Sequence, residues 1–156
     1  MDKTLVINYK EVAGVAALPD SDRRLMECAV EAAKGAYAPY SRFHVGAALR
    51  LADGSVVVGS NQENAAYPSG LCAERTALFA ASAQRPDMRD YETLAIVGIN
   101  EEGVLCEASP CGACRQVMSE YERQQGHPMR VICYIREGCV RVFDSVSDLL
   151  PFSFQF

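Results

Sequence analysis

An unbroken apolar run at Leu94–Ile99 sets the strongest limit on how this chain can fold. Side chains of a strand alternate between the two faces of a sheet, so a strand that is apolar at every position needs cover on both sides. The run ends at the polar sequence Asn100-Glu101-Glu102-Gly103, which suits a loop. Leu94–Ile99 therefore predicts a buried central strand in a layered α/β domain.

The rest of the chain supplies helices and further strands. Phe43–Leu51 is apolar at every second position, and Asp53-Gly54 is typical of a hairpin turn. We predict three helices: one capped by Asp20 or Ser21 and ending at Tyr37-Ala38-Pro39-Tyr40, one at Leu71–Ala80, and one at Cys111–Gln125 followed by Gly126. The predicted strands are Phe43–Leu51, Val56–Val58, Leu94–Ile99, Val131–Ile135 and Val140–Phe143. A last helical turn is expected to be capped by Ser145 or Ser147. We expect a single α/β domain over residues 1–156, with one sheet covered on both faces.

Composition narrows the class of protein without identifying it. The 156 residues are 49% hydrophobic and 22% charged, with a formal net charge of −5. An acidic chain does not favour a broad surface for nucleic acid. No apolar run reaches the roughly 18 residues that span a membrane, and the first residues lack the apolar core of a signal peptide. We expect a soluble, cytoplasmic protein that binds neither nucleic acid nor membrane.

Seven cysteines are the unusual part of the composition, because the number is odd and too small for a disulfide framework in a chain of this length. Cys111 and Cys114 form a C-x-x-C pair, and Cys72 stands at the start of another predicted helix. Helix starts favour thiolates, and zinc prefers sulfur ligands in a tetrahedron. Three protein ligands leave one position for water, so the pattern predicts a catalytic Zn²⁺ site.

Charged residues beside these cysteines suit such a site. Three thiolates would leave a net negative charge around zinc. We expect one or both of the neighbouring arginines, Arg75 and Arg115, to donate to a thiolate sulfur and withdraw charge. Glu74 lies close to Cys72 along the predicted helix. We expect Glu74 to take a proton from a zinc-activated water and to act as a proton shuttle.

Three other interpretations of the cysteines remain open. Cys111 and Cys114 are also the spacing of a redox pair, and Cys106 is the nearest fourth ligand for a closed structural zinc. Cysteines also serve as small buried apolar side chains. That last interpretation fits three of the remaining cysteines best: Cys28, Cys133 and Cys139.

Five segments carry a combined signature. They are Pro39-Tyr40-Ser41-Arg42-Phe43-His44-Val45-Gly46-Ala47-Ala48-Leu49, Asn61-Gln62-Glu63-Asn64-Ala65, Cys72-Ala73-Glu74-Arg75, Pro110-Cys111-Gly112-Ala113-Cys114-Arg115-Gln116 and Leu149-Leu150-Pro151. In this order they resemble the small homotetrameric zinc-dependent cytidine deaminases. The resemblance implies a mixed five-stranded sheet in a three-layer α/β/α fold, one Zn²⁺ per chain and a homotetramer with shared active sites.

The resemblance also implies a site for a small pyrimidine nucleoside. Asn61 and Glu63 match the pair that binds the sugar hydroxyls, and Phe43 matches an aromatic residue near the base. Backbone N–H groups near Ala73, at a helix start, are placed to hold the base carbonyl. The resemblance gives three further residues that complete the pocket, in part that of a neighbouring subunit: Ala65, Tyr67 and Phe154.

The implied reaction is hydrolytic deamination of cytidine and 2′-deoxycytidine to uridine and 2′-deoxyuridine, with release of ammonia, in pyrimidine salvage. A deaminase of other small cytosine compounds, of the blasticidin type, is the nearest alternative, and Asn61 and Glu63 argue for an unmodified nucleoside instead. A polynucleotide deaminase would want a basic, aromatic groove, which the net charge of −5 and the absence of tryptophan do not favour. A non-enzymatic zinc scaffold would need four protein ligands.

Overall fold

A computed structural model describes residues 1–156, and one seven-stranded sheet organises them. The strands are β1 (Lys10–Val12), β2 (His44–Leu51), β3 (Val56–Ser60), β4 (Tyr91–Ile99), β5 (Leu105–Cys106), β6 (Arg130–Tyr134) and β7 (Val140–Phe143). The helices are α1 (Asp20–Ala33), α2 (Ala73–Gln84) and α3 (Gly112–Gln125). No helix combines the length and apolar character that crossing a membrane requires.

The apolar strand β4 lies inside the sheet, whose order is β1-β7-β6-β4-β2-β3. β4 runs parallel to β6 and antiparallel to β2, and β5 pairs with the C-terminal end of β4. The other neighbouring strands pair antiparallel. The sheet is therefore mixed, as expected.

Alternation along β4 divides the core into two apolar layers. Leu94 and Ile96 belong to the layer shared with α2 and α3. Ala95 and Val97 belong to the layer shared with α1, where they join Met26. The predicted three-layer α/β/α fold, with helices on both faces of the sheet, is confirmed.

The strand count differs from the predicted five, because β1 and β5 were not anticipated. They are three and two residues long and lie at the margins of the sheet. Segments this short carry no periodic pattern, and only the neighbouring strand β7 or β4 defines them. β4 also begins at Tyr91, ahead of the predicted Leu94.

The ends of α1 differ from the prediction as well. Pro19, not Asp20 or Ser21, precedes the helix, and no side chain caps it. The N–H groups of Asp22 and Arg23 donate to the Pro19 carbonyl, so Asp20 already lies in the first turn. The helix ends at Ala33, ahead of the predicted stop. At other helix ends the predictions hold: Gly126 follows α3 with a φ of 76°, and Ser145 accepts the N–H of Ser147.

Asp22 connects α1 to the sheet through a buried ion pair network. Its Oδ1 accepts a hydrogen bond from Arg50 Nη2 at 2.9 Å, and its Oδ2 accepts one from Arg130 Nη2 at 2.9 Å. The Asp22 side chain is 2% exposed. Burial alone would raise the pKa of this carboxyl, but the hydrogen bonds from Arg130 and Arg50 outweigh it and hold the pKa below 3.8.

We expect Asp22→Asn to lower the free energy of unfolding by about 3 kcal/mol, because two guanidinium groups lose their buried counter-charge. Since folding lowers the pKa of Asp22, its stabilisation is complete above the unfolded pKa and is lost as the pH falls through the folded pKa. The gap between wild type and variant should therefore close in acid. Denaturant unfolding across a pH series measures it.

Asp20→Asn provides the matched control. Asp20 lies on the same helix and pairs with Arg23 at 3.0 Å, but its side chain is exposed. Exposed pairs contribute less than about 1 kcal/mol, so a small and nearly pH-independent change is expected. Equal losses in the two variants would contradict the assignment to Asp22.

Candidate active site

Three cysteine sulfurs converge where α2 and α3 begin. Cys72 directly precedes α2, Cys111 directly precedes α3, and Cys114 is buried in the first turn of α3. The Sγ atoms of Cys72 and Cys111 are 3.8 Å apart, those of Cys111 and Cys114 are 3.5 Å apart, and all three lie within 4.8 Å of one another. Sulfur ligands at about 2.3 Å from a tetrahedral zinc stand at about 3.8 Å from each other, so the three atoms fit that ion.

The electrostatics of the sulfurs also favour a cation. A hydrogen bond from Cys114 lowers the pKa of the Cys72 thiol to about 5, against the effect of burial, and the Arg75 guanidinium adds to the shift. The same hydrogen bond and burial raise the pKa of Cys114. The hydrogen bond between the two thus favours the thiolate at Cys72 and the thiol at Cys114, and the charges of Glu74 and Cys72 add to the resistance of Cys114. A divalent cation would remove that resistance.

The two arginines next to the motif differ in their contacts. Arg75 Nη2 donates to Cys72 Sγ at 3.6 Å, as predicted. One or both arginines were expected to make such a contact, and only Arg75 does. Arg115 donates to the carbonyls of Pro110 at 2.8 Å and Leu149 at 2.9 Å, so it holds the start of α3 against the C-terminal turn.

Glu74 lies in the first turn of α2 and is 4% exposed. Burial raises the pKa of its carboxyl to about 7, because the charged form loses contact with water. A carboxyl that titrates near neutrality can accept and release protons under the same conditions. Glu74 follows Cys72 by two residues, so this carboxyl lies next to the sulfur cluster.

A cavity of about 440 Å³ opens over the cluster, a size typical of sites for small molecules. Most of the residues singled out from the sequence line it: Phe43, Asn61, Glu63, Tyr67, Cys72, Ala73, Glu74, Arg75 and Cys111. The wall also contains residues to which the sequence assigned no individual role: Val45, Gln62, Asn64, Gly70, Leu71, Glu107, Ala108 and Ser109. The first three belong to the signature segments, and the other five directly precede Cys72 or Pro110 along the chain.

Besides Arg115, three other residues singled out from the sequence lie outside both the cavity wall and the three-sulfur cluster. Ala65 is exposed outside the cavity wall. Phe154 is 66% exposed, its carbonyl accepts a hydrogen bond from Gln116, and its ring contacts Phe156. Cys106 donates to the Val104 carbonyl and is absent from the three-sulfur cluster, which argues against a fourth cysteine ligand.

Of the cysteines expected to be buried apolar residues, Cys133 is buried. Cys28 and Cys139 are only partly buried, so that prediction is correct for one residue of three. Cys28 still packs against the apolar layer that contains α1.

Asn61 and Glu63 hold the backbone that leads into β2. Asn61 Nδ2 donates to the Phe43 carbonyl at 2.9 Å, and Asn61 Oδ1 accepts the Val45 N–H at 2.7 Å. Glu63 Oε1 accepts the N–H groups of Tyr40 at 3.0 Å and Ser41 at 3.1 Å. Hydrogen bonds from Ser41 are the main reason that the pKa of Glu63 is lowered. The carboxylate is therefore ionised at the cavity wall.

Known proteins resemble this chain in sequence and in fold. Residues 19–127 match the family described as the cytidine and deoxycytidylate deaminase zinc-binding region. The cytidine deaminase of Halalkalibacterium halodurans is 52% identical over 96 residues, which cover 62% of this chain and 68% of that protein. The cytidine deaminase of Mycobacterium tuberculosis is 39% identical over 117 residues, which cover 72% of this chain and 84% of that protein.

A crystal structure of cytidine deaminase from Burkholderia pseudomallei has a TM-score of 0.73 and 45% identity, covering 84% of this chain and 97% of that one. The fold and the three-sulfur site define a zinc-dependent hydrolytic deaminase. The chain belongs to the cytidine and deoxycytidylate deaminase family. Cys72, Cys111 and Cys114 fit one zinc ion per chain.

We expect Arg75→Gln to weaken zinc binding by roughly tenfold or more, since hydrogen-bond partners of metal ligands commonly contribute on this scale. Competition with a chromogenic chelator measures the affinity. Arg115→Gln is the matched control, because Arg115 contacts carbonyls instead of sulfur. It should lower the melting temperature and leave the zinc affinity of the folded protein unchanged. Unchanged affinity in Arg75→Gln would contradict the contact's role.

Proposed function

We propose that this chain deaminates cytidine and 2′-deoxycytidine hydrolytically, giving uridine and 2′-deoxyuridine with release of ammonia. The observation that carries the proposal is the buried Glu74 carboxyl, with a pKa of about 7, beside three convergent sulfurs at the base of a cavity. The relatives named as cytidine deaminases support cytidine as the substrate. The family description, which includes deoxycytidylate, supports tolerance of deoxyribose.

The proton transfers are assigned to Glu74. Cys72, Cys111 and Cys114 would hold the zinc ion, whose chemistry when bound would be to lower the pKa of a water molecule. Glu74 accepts one proton from water and delivers it to N3 of the pyrimidine ring while the water oxygen bonds to C4. Glu74 then takes the remaining proton from that oxygen and passes it to the amino group, so that ammonia leaves as the bond from C4 to nitrogen breaks and the C4 carbonyl forms. Burial suits this role because it keeps the proton affinity of Glu74 close to neutral pH.

Residues on the cavity wall orient the nucleoside. Glu63 Oε2 has no protein partner, so it can accept a hydrogen bond from a sugar hydroxyl. Asn61 Oδ1 already accepts one N–H and retains capacity for a second donor. Ala73 is the first residue of α2, which no side chain caps, and its N–H group suits the base carbonyl. Phe43 packs near the base.

A deaminase of other small cytosine compounds remains the nearest alternative. It would share the zinc, Glu74 and the proton transfers, and would differ only in which group attached to the cytosine ring the cavity wall can bind. The free carboxylate oxygen of Glu63 supports an unmodified sugar, because it can accept a hydrogen bond from a sugar hydroxyl that enters the cavity. Loss of ultraviolet absorbance with cytidine, 2′-deoxycytidine and larger cytosine compounds separates the alternatives.

We expect Glu74→Gln to retain one zinc per chain and to lower kcat for cytidine by about 10³, because the amide cannot carry the proton. Ultraviolet turnover assays and zinc analysis measure the two quantities. Glu107→Gln is the matched control, since Glu107 also lies in the cavity wall but pairs with Arg141 at 3.7 Å. It should keep most of the activity. A fully active Glu74→Gln variant would refute the assignment.

The active protein is proposed to be a homotetramer that acts in the cytoplasm in pyrimidine salvage, with residues 1–156 as one domain. The exposed C-terminal rings of Phe152, Phe154 and Phe156 support an assembly, because large apolar side chains in water are unfavourable. Exposed Tyr67, at the edge of the cavity, supports a site shared with a neighbour. Seven free cysteines suit a reducing compartment.

We expect light scattering after size exclusion to give four times the mass of one chain. Removal of Ser153–Phe156 should lower kcat/KM for cytidine without loss of zinc, because the neighbouring site loses the Phe154 ring. Replacing the exposed Met1–Thr4 with glycine and serine serves as the control at the other terminus. A stable, fully active single chain would refute both the tetramer and the shared site.

A further inference from the structure

We propose that Gly98 is a positioning residue for Phe43: its missing side chain leaves the space that holds the Phe43 ring at the cavity wall. The inference rests on the proposed function, in which Phe43 packs near the base. It concerns a residue that lies outside the cavity wall and outside the motifs of the signature.

The ring and the glycine meet across two strands. Gly98 on β4 pairs with Val45 on β2 and with Cys106 on β5. Phe43 stands two residues before Val45, which makes it a diagonal neighbour of Gly98 on the same face of the sheet. A Cβ atom added at Gly98 would lie 2.4 Å from Phe43 Cζ and 3.1 Å from Phe43 Cε1. Both distances are shorter than a carbon–carbon contact of about 3.5 Å.

Space, and not backbone conformation, accounts for glycine at this position. Gly98 is not among the residues with positive φ, so other amino acids could adopt its backbone angles. Glycine inside a strand weakens it and commonly marks a close approach. The obstruction at Gly46 is of a different kind, because its added Cβ would lie 1.9 Å from the Ala29 carbonyl oxygen. This oxygen belongs to the backbone of α1, so no side-chain rotation can relieve the clash. At Gly98 the two shortest contacts are with the far end of the Phe43 side chain. The third, with the Cys106 carbonyl oxygen at 3.2 Å, requires a shift of only a few tenths of an ångström.

The backbone of Phe43 is anchored, so a methyl group at Gly98 would displace the ring. Asn61 donates to the Phe43 carbonyl at 2.9 Å, and the Phe43 N–H donates to Ser41 Oγ at 3.1 Å. Asn61 also accepts the Val45 N–H at 2.7 Å. Phe43 lines the cavity, so a ring pushed away from β4 can move into the space that the substrate would occupy.

The experiment compares Gly98→Ala, Phe43→Leu and the double variant in cytidine kinetics. Gly98→Ala should raise KM roughly tenfold or more with a smaller change in kcat, since stacking between bases and aromatic rings contributes on this scale. In the Phe43→Leu background, the same change at Gly98 should have little further effect, because the shorter side chain leaves room. Equal effects of Gly98→Ala in both backgrounds would overturn the proposal.

Ring placement is measured separately by NMR of ¹³C-labelled phenylalanine rings, with Phe43 assigned by its loss in Phe43→Leu. Gly98→Ala should shift the Phe43 ring signals most strongly, and unchanged signals would overturn the proposal. Gly35→Ala is the control, because its added Cβ would lie 3.4 Å from its nearest neighbour. It should move neither KM nor the Phe43 signals.

Two further outcomes are informative. If Gly98→Ala does not fold, folding of the double variant supports the proposal, and failure of both refutes it, because a clash with Phe43 would not be the cause. A wild type without cytidine turnover would refute the proposed function alone. The NMR comparison would still test whether Gly98 positions the ring.

Discussion

The structure depends on burying both faces of β4. Leu94 and Ile96 need cover on one side and Ala95 and Val97 on the other, so α1 must lie across the sheet from α2 and α3. Placing α2 and α3 in one layer brings two helix starts to the same end of the sheet. The sulfurs meet there, beside the loops that follow β3 and β5. The apolar strand therefore determines where the chemistry can occur.

The buried ion pair network and the candidate active site lie at opposite ends of the sheet. Asp22 accepts hydrogen bonds from Arg50, near the end of β2, and from Arg130, the first residue of β6. These contacts lie at the end of the sheet where β4 starts. The cavity lies at the other end, where β4 finishes and Phe43 leads into β2. A buried charge network thus joins α1 to the sheet far from the metal ligands. A change in the protonation of Asp22 therefore need not disturb the metal ligands.

The sequence predicted the features that depend on local pattern or on short motifs. The apolar run Leu94–Ile99 indicated a sheet covered by helices on both faces. A metal site was indicated by Cys72, Glu74 and the C-x-x-C pair. What it missed depends on contacts distant in sequence. β1 and β5 exist only through their partners, and Arg115 contacts Leu149. The cavity residue Glu107 and the space at Gly98 likewise follow from packing across strands.

The position of the ligands has a consequence for local stability. Cys72 and Cys111 occupy the sites immediately before α2 and α3, yet neither side chain caps its helix by a hydrogen bond. A serine or aspartate there would stabilise each helix by about 1 kcal/mol. Metal ligands occupy the two positions where capping side chains would stabilise the helix ends. A bound zinc ion would stabilise these ends instead, because it connects Cys72 and Cys111. Chelation should therefore fray both helices from their first turns, in concert, and expose Glu74 as they open.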